Sequence, residues 1–171
     1  YIDGKPYAGF VYDVMADVLY HAKVGEGAYR GSQPLKPLND SNLRQSIIGI
    51  NPNWLTKPVL GEIFKDVVNI SRSARAYGSA ALEIVSVATG NLEAYMTPRL
   101  QPWDFAGGLV ILNEVDGLAS NLLGEPLTIS GPNSILVGNR GVHREILGVY
   151  LEPHRDALIQ LHEQRFKRKS K

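Results

Sequence analysis

The chain has 171 residues, of which 44% are hydrophobic and 20% are charged, a balance typical of one globular domain of ordinary size or slightly more. It contains no cysteine, which excludes disulfides and thiolate metal sites and is consistent with a reducing cytoplasm. Since no apolar run is long enough to cross a bilayer, we expect no membrane partner.

The net charge of +1 is unevenly distributed along the chain. Five of the 18 Lys and Arg residues lie within the last seven positions: Arg165, Lys167, Arg168, Lys169 and Lys171. A basic tail can bind nucleic acid or a membrane, but cations also suit the negative end of a helix dipole. The rest of the chain has no basic patch with interleaved aromatic residues, so we expect a solvated helix end and no nucleic-acid partner.

The first part of the chain predicts short strands joined by tight turns. Asp3-Gly4 indicates a hairpin, because this pair supplies the positive φ values of a type I′ turn. Residues 9–14 and 17–24 predict strands, and the glycine-rich stretch 25–32 predicts a third strand or a bend. That stretch is a weak phosphate-binding candidate, because it lacks both a Lys-Ser/Thr pair and a strand-to-helix context.

The middle of the chain predicts a buried strand followed by two helices. Residues 46–50 form a short apolar run that suits such a strand, and a helix with one apolar face follows from about Thr56 to Val68. After a polar linker, Ser79 and Gly90 have the residue types that begin and end helices. The segment between them is nearly all small or apolar, so we expect a buried helix there.

Residues 102–108, with the sequence Pro-Trp-Asp-Phe-Ala-Gly-Gly, are followed by an apolar run through Val115 that is long enough for three helical turns. Asp104 is therefore expected at or just before a helix N-terminus, where unpaired backbone N–H groups favour a carboxylate. We expect Trp103 to pack into the core, and the two glycines to let another backbone or a ligand approach closely.

Downstream, residues 117–121 and 126–129 predict a hairpin, and residues 134–137 predict another strand. Helices are predicted over residues 142–151 and from Pro153 onwards. Strands and helices thus alternate along the chain, with hairpins at both ends. This pattern predicts an α/β fold in which a mixed β-sheet is flanked by helices in layers.

Four motifs follow one another with tight spacing and resemble the carboxyl-terminal half of the inositol monophosphatase family. They are Gly78-Ser79-Ala80-Ala81, Val87-Ala88-Thr89-Gly90, Glu93-Ala94-Tyr95 and Trp103-Asp104-Phe105-Ala106-Gly107. Gly117 and residues 139–140 continue the series, and residues 9–12 and 23–28 also match, so the resemblance extends to about Tyr150. The family consists of magnesium-dependent, lithium-sensitive phosphatases that act on small phosphorylated alcohols.

The resemblance also indicates what the sequence lacks. The first metal site of the family uses a Glu and an Asp-Pro-Ile-Asp-Gly-Thr segment, and this sequence contains no such segment. Asp3-Gly4 does not qualify, because no Asp-Pro precedes it, Lys5 stands in place of the Thr, and the next strand follows too soon. We therefore expect residues 1–171 to be the carboxyl-terminal portion of such a phosphatase, with a layered sugar-phosphatase-like fold that is incomplete at its amino-terminal side.

The resemblance implies site residues motif by motif. Asp104 matches an aspartate that binds the second metal ion in the family, although a plain helix-capping role suits the same position. Gly78, Ser79 and Ala80 match a turn that contacts substrate in the family, and a helix N-terminus attracts anions. The alternative is that these small residues serve the close packing of a buried helix.

Two further positions bear on the substrate. Thr97 stands where inositol-selective relatives have a Glu that binds sugar hydroxyls, and Arg99 adds a cation beside it. A lost carboxylate and an added cation favour a larger or more anionic substrate, such as a nucleotide or sugar phosphate, over strict inositol selectivity. A simple surface role for Arg99 is the alternative.

Other chemistry-bearing residues show no second site. The histidines have no helical ligand spacing with a matching carboxylate, so we expect them to be structural or solvated: His21, His143, His154 and His162. No Gly-x-Ser-x-Gly elbow supports acyl transfer. Three acidic residues are interpreted as charges on helix faces: Glu62, Asp66 and Glu114.

The resemblance thus implies a homodimeric, Mg²⁺-dependent hydrolase in which metal-activated water attacks a small phosphorylated substrate, with no catalytic side chain besides the metal ligand. A non-enzymatic binding or scaffold domain is the alternative. Asp104 is the one carboxylate that the motifs assign to metal, and Mg²⁺ is strongly hydrated and prefers several oxygen ligands. We therefore expect residues 1–171 on their own to be inactive.

Overall fold

The computed structural model describes residues 1–167, with side chains described as far as Glu163. It has an α/β fold with a four-stranded antiparallel sheet, a five-stranded mixed sheet and helices packed against them, which confirms the predicted class. Within the described residues, no helix combines the length and the apolar character needed to cross a bilayer. Residues 168–171 and the side chains of Arg165 and Lys167 lie outside what the structure describes, and so does the role predicted for the basic tail.

The small sheet follows a tight turn near the beginning of the chain. Asp3 and Gly4 have φ values of 51° and 75°, and a bridge joins Ile2 to Lys5, which confirms the predicted hairpin turn. Four antiparallel strands then pair in chain order: β1 (Ala8–Asp13), β2 (Val18–Lys23), β3 (Ala28–Arg30) and β4 (Gln33–Pro34).

The two faces of the small sheet differ in their surroundings. Val11 and Tyr20 are buried on the inner face, as the alternation of side chains along a strand requires. On the outer face Phe10, His21 and Tyr29 stack in a row across three strands, with ring centroids 6.3 Å and 5.4 Å apart. Cross-strand stacking of this kind stabilises the pairing of the strands.

The large sheet contains five strands: β5 (Ile47–Gly49), β6 (Ser73–Arg75), β7 (Ala94–Leu100), β8 (Leu118–Ser120) and β9 (Asn133–Gly138). Their order is β6-β5-β7-β9-β8, in which β5 is parallel to β6 and β7, while β9 is antiparallel to β7 and β8. β7 is therefore the central strand, and the chain passes from its end directly into the segment that contains Trp103 and Asp104.

Within residues 1–167, five α-helices complete the layers: α1 (Leu60–Ile70), α2 (Ala80–Ala88), α3 (Pro102–Asn113), α4 (Arg140–Glu145) and α5 (Arg155–Lys167). α2 and α3 lie between the two sheets, where Ile84 and Phe105 share a core with Val11 of β1 and Tyr95 of β7. α1, α4 and α5 cover the other face of the large sheet, in a second core that includes Met96 of β7. The predicted burial of α2 is confirmed, because most of its side chains contribute to the first core.

The predicted strand at residues 126–129 is wrong. β8 pairs with β9 instead, and the chain between them is irregular. Pro126 has no N–H to donate to a strand ladder. The Asn121 side chain also stabilises a compact turn, because its Oδ1 accepts hydrogen bonds of 2.9 Å from the N–H groups of Leu123 and Glu125.

Two predicted helices begin or end elsewhere. α1 starts at Leu60 rather than near Thr56, because the preceding residues Pro52–Thr56 form a 3₁₀ helix of their own. α4 starts earlier than predicted, since the Asn139 side chain caps it by accepting a 3.0 Å hydrogen bond from the N–H of Val142. It ends early as well, and Ile146–Leu151 continue as a π-helix.

Candidate metal and substrate site

Asp104 lies in the first turn of α3, just after the central strand. Gln101 is the N-cap residue and Pro102 is the first helical residue, so Asp104 is the third residue of the helix rather than its cap. Its Oδ2 atom accepts a hydrogen bond of 2.8 Å from the backbone N–H of Gln101. The predicted placement of a carboxylate at this helix N-terminus is confirmed, and its capping contact reaches back to the N-cap residue.

Trp103 does not pack into the core, contrary to the prediction. Its side chain is 80% exposed, whereas Phe105 is fully buried. Leu109 and Leu112 are also buried, and the spacing of these three residues defines the core-facing side of α3. Trp103 lies outside that spacing, so its indole stands in solvent immediately before Asp104.

The Asp104 carboxylate fits one position in the coordination shell of a hard cation. It is half-buried, and within the described part of the chain its Oδ1 atom has no hydrogen-bond partner, so an oxygen is available. Residues 1–167 contain no group of three or more His, Cys, Asp or Glu side chains, as far as these are described, that could hold a metal ion. Asp104 can therefore supply one oxygen ligand, without a complete ligand set around it in the described residues.

The start of α2 is the second predicted part of the site. Ser79 is the N-cap residue, as predicted, and its hydroxyl oxygen accepts a long hydrogen bond of 3.5 Å from the N–H of Leu82. Gly78 precedes it with a φ of +78°, a left-handed conformation that glycine adopts without strain. Ala80 is the first helical residue, and the N–H groups of this first turn have no acceptor within the helix.

Glu83, which the sequence reasoning did not single out, is buried against this turn. Its side chain is 3% exposed, and its Oε1 atom accepts a hydrogen bond of 2.7 Å from the N–H of Tyr77. Burial raises the pKa of Glu83, and the nearby N–H groups of Tyr77 and Gly78 oppose that rise. The available signal was a lone carboxylate, four residues after the N-cap, in a helix otherwise made of small and apolar residues.

Tyr95 of β7 is influenced by carboxylates of both helices. Burial, followed by the charge of Glu83, raises the pKa of Tyr95 to about 12, because both disfavour the phenolate. A hydrogen bond with Thr97 opposes this rise, and the charge of Asp104 adds to it. The charges of Glu83 in α2 and of Asp104 in α3 therefore both act on this buried tyrosine.

Thr97 and Arg99 lie at an irregularity in β7. The register with β9 shifts between Thr97 and Leu100, and such bulges redirect side chains near functional sites. Thr97 is 4% exposed and lies close enough to Tyr95 to influence its pKa, so it is buried beside the ring rather than open to solvent. Arg99 is half-buried, and it forms no ion pair with the side chains described.

The glycine-rich bend is held by Glu114, whose interpretation as a helix-face charge is wrong. The N–H groups of Gly25 and Gly27 donate hydrogen bonds of 3.0 Å and 2.9 Å to the two carboxylate oxygens of Glu114. These N–H groups are therefore already occupied by an anion from the end of α3. The contact with Glu114 therefore gives a structural reason why this bend is a weak candidate for binding phosphate.

His143 is a buried structural residue. The Ser120 hydroxyl donates to the carbonyl oxygen of Asn121 at 2.8 Å, so it accepts from the Nε2–H of His143 at 3.0 Å. Burial lowers the pKa of His143 to about 4, and the charge of Arg144 acts in the same direction. The imidazole is thus neutral at physiological pH and belongs to the fold rather than to a metal site.

Comparisons with known proteins place these motifs in context. A protein-family model described as the inositol monophosphatase family matches residues 1–156. The inositol-1-monophosphatase of Bacillus subtilis (strain 168) is 42% identical over 151 residues, which is 87% of this chain and 57% of that protein. The fructose-1,6-bisphosphatase/inositol-1-monophosphatase of Aquifex aeolicus (strain VF5) is 34% identical over 148 residues, which is 85% of this chain and 54% of that protein. The chain thus spans little more than half the length of these curated relatives.

A solved structure shares both sequence and fold with the chain. Staphylococcal IMPase-II is 92% identical, with a TM-score of 0.97, and the match covers 98% of this chain and 64% of that one. The same protein has been solved with inositol monophosphate bound and with 2'AMP bound, and both forms superpose on this chain with a TM-score of 0.96.

Proposed function

Because the chain belongs to the inositol monophosphatase family, we propose that the protein carrying it hydrolyses a small phosphate monoester in a Mg²⁺-dependent reaction. The observation that carries this proposal is the position of Asp104, which combines a free carboxylate oxygen with the first turn of a helix. Phosphate monoesters resist hydrolysis because their anionic oxygens repel a nucleophile. When bound, the cation supplies charge neutralisation and activation of water.

Asp104 would hold the cation through Oδ1. The hydrogen bond from the Gln101 N–H to Oδ2 fixes the carboxyl plane, so the free oxygen keeps one direction. The buried Phe105 anchors the same helical turn in the core between the sheets. The ligand is therefore supported by rigid structure, as a metal site requires.

The turn formed by Gly78, Ser79 and Ala80 would contact the substrate. The first N–H groups of α2 lack acceptors within the helix, and the helix dipole favours an anion at this end. α2 and α3 pack closely, since a Cβ atom at Gly108 of α3 would lie 2.9 Å from Ile84 of α2, which supports a shared location for this turn and the metal ligand. The proposed site therefore combines one anionic and one electropositive half.

For the substrate we propose an inositol phosphate or a nucleotide 2′-phosphate. Both ligand types occur in the bound forms of Staphylococcal IMPase-II, which is 92% identical to this chain. Thr97 supplies no carboxylate for a sugar ring, and it is buried beside Tyr95. Arg99 is half-buried without an ion-pair partner among the described side chains, so its charge is available to a more anionic substrate.

The experiment is a phosphate-release assay on the protein that carries residues 1–171. Inositol monophosphate and 2′-AMP are each supplied with Mg²⁺ and with a chelator. We expect release with Mg²⁺, none with chelator, and inhibition by lithium. Absence of release from both substrates, in a folded preparation with Mg²⁺, would contradict the proposal. Light scattering on the same preparation tests the homodimer that we also propose.

A non-enzymatic binding or scaffold role is the second candidate. The observation that favours it is the lack of a cluster of three or more potential metal ligands among the described side chains. A scaffold would bind its partner with no dependence on Mg²⁺ and would tolerate Asp104→Asn. A metal-dependent phosphatase would lose activity in the same variant, so one substitution separates the two roles.

A further inference from the structure

The first turn of α2 contains a buried carboxyl group, that of Glu83, among aliphatic side chains. Glu83 is 3% exposed in a helix whose other buried side chains are aliphatic: Ile84, Val85, Val87 and Ala88. Burying a carboxyl group is unfavourable unless hydrogen bonds compensate for the lost water. The contacts of Glu83 therefore indicate what the residue does.

One carboxyl oxygen of Glu83 holds the segment that leads into the helix. Oε1 accepts a hydrogen bond of 2.7 Å from the N–H of Tyr77, and the N–H of Gly78 lies close enough to stabilise its charge. The hydroxyl of Ser79 contributes less, because its bond to the N–H of Leu82 is 3.5 Å long. Glu83 therefore fixes the turn more strongly than the N-cap residue does.

The other oxygen is held by packing alone. Oε2 is buried and has no hydrogen-bond partner among the described residues. A Cβ atom at Gly49 would lie 2.5 Å from this oxygen and 3.0 Å from a ring carbon of Tyr95. The carboxyl group thus fills the space above the end of β5, beside Tyr95, and only glycine at position 49 leaves room for it. This packing holds the Glu83 carboxyl group in one place, from which Oε1 reaches the N–H of Tyr77.

We propose that Glu83 is a positioning residue, which orients the turn of Gly78, Ser79 and Ala80 so that the first N–H groups of α2 face the substrate. This inference rests on the proposed function, because it takes the turn to be part of the substrate site. Glu83 does not touch the substrate in this arrangement. Its effect passes through the hydrogen bond to the backbone of Tyr77.

The matched variants are Glu83→Gln and Glu83→Met in the full 171-residue chain. Gln keeps a carbonyl oxygen that can accept from the Tyr77 N–H, whereas Met fills similar space without an acceptor. We expect amide hydrogen exchange at Tyr77 and Gly78, followed by NMR, to become about tenfold faster in the Met variant and to stay near the parental rate in the Gln variant. Unchanged exchange in the Met variant would overturn the proposal.

The functional readout is steady-state kinetics with inositol monophosphate in the protein that carries the chain. We expect Glu83→Met to raise KM about fivefold with a smaller change in kcat, and Glu83→Gln to restore KM. Glu114→Met is the matched control, because it removes a carboxylate that holds two backbone N–H groups elsewhere. It should lower stability and leave KM unchanged. Equal increases in KM in Glu83→Met and Glu114→Met would show that Glu83 has only a structural role.

The two proposals fail separately. If the parental protein releases no phosphate, the proposed function fails, and amide exchange alone decides whether Glu83 holds the turn. If phosphate is released but faster exchange leaves KM unchanged, the turn does not contact the substrate and the inference fails. Should Glu83→Met not fold, Glu83→Asp shortens the reach by one methylene group and gives the same two readouts.

Discussion

Gly9 and Gly107 are in contact backbone to backbone. A Cβ atom on Gly9 would lie 2.2 Å from the carbonyl oxygen of Gly107, and a Cβ atom on Gly107 would lie 3.0 Å from the carbonyl oxygen of Phe10. β1 of the small sheet therefore lies directly on α3, the helix that carries Asp104. This approach sets the distance between the small sheet and the proposed site.

Gly9→Ala should destabilise the protein by about 3 kcal/mol, because the obstructing atom belongs to the backbone and cannot rotate away. The free energy of unfolding in urea measures the effect. Gly131→Ala is the control, since no atom lies within 4 Å of its Cβ position and its φ is not positive. Equal stability of the two variants would show that β1 and α3 can separate without loss.

Asp104→Asn should lower turnover by several orders of magnitude and leave the fold intact. The amide oxygen can still accept from the Gln101 N–H, but the anionic metal ligand is lost. Phosphate release at saturating Mg²⁺ and circular dichroism measure the two effects. Glu62→Gln, which removes an exposed acidic side chain from the first turn of α1, is the control and should keep parental activity. Parental activity in Asp104→Asn would refute the assignment of this residue.

Residues 1–171 on their own should neither bind Mg²⁺ at millimolar concentration nor release phosphate. The reason is the number of ligands, since one carboxylate rarely displaces the hydration shell of Mg²⁺. Calorimetric titration with Mg²⁺ and a phosphate-release assay test this. Robust metal-dependent turnover would mean that another acidic side chain, such as Asp13, Asp17 or Glu26, completes a site.

Stability should fall between pH 6.5 and pH 4 because of His143. Its pKa is about 4 in the folded protein against a usual value of 6.5, so the unfolded chain binds the proton more tightly. The stabilisation from the neutral imidazole is complete above pH 6.5. About 3 kcal/mol is lost as the pH falls to 4, with no further change from this group below that.

Denaturant unfolding across this pH range measures the loss at His143. His143→Gln keeps a neutral donor for Ser120 and should flatten the profile over that interval. Gly131→Ala, which changes no titratable group, provides the control and should reproduce the parental slope. An unchanged slope in His143→Gln would show that other groups cause the pH dependence.

Local signals in the sequence predicted those parts of the fold that depend on neighbouring residues. The turn at Asp3-Gly4 needs only two residues that accept positive φ, and the N-cap at Ser79 needs only a short polar side chain. The expectation of a close approach at the glycines after Asp104 is also confirmed. Its partner, the backbone of β1 nearly one hundred residues earlier, could not be deduced locally.

The errors concern contacts between residues distant in sequence. Glu114 accepts hydrogen bonds from Gly25 and Gly27, which lie 89 and 87 positions earlier in the chain. The helix pattern around Glu114 could not indicate such a contact. The sequence predicts core packing for Trp103, but the apolar spacing along α3 assigns the buried side to Phe105 instead. Glu83 lies in an otherwise apolar helix, and its hydrogen-bond partner is the N–H of Tyr77. That partner depends on the path of the preceding loop, which the sequence pattern does not give.

The exposure of Trp103 has an optical consequence. The chain contains two tryptophans, and Trp103 places an indole in water directly before the proposed metal ligand, whereas Trp54 is partly buried near α1. The emission of Trp103 therefore reports an indole in water at the start of α3, and that of Trp54 reports a partly buried one. Trp103→Phe leaves Trp54 alone, so the difference between the parental and variant spectra isolates the signal from the first turn of α3.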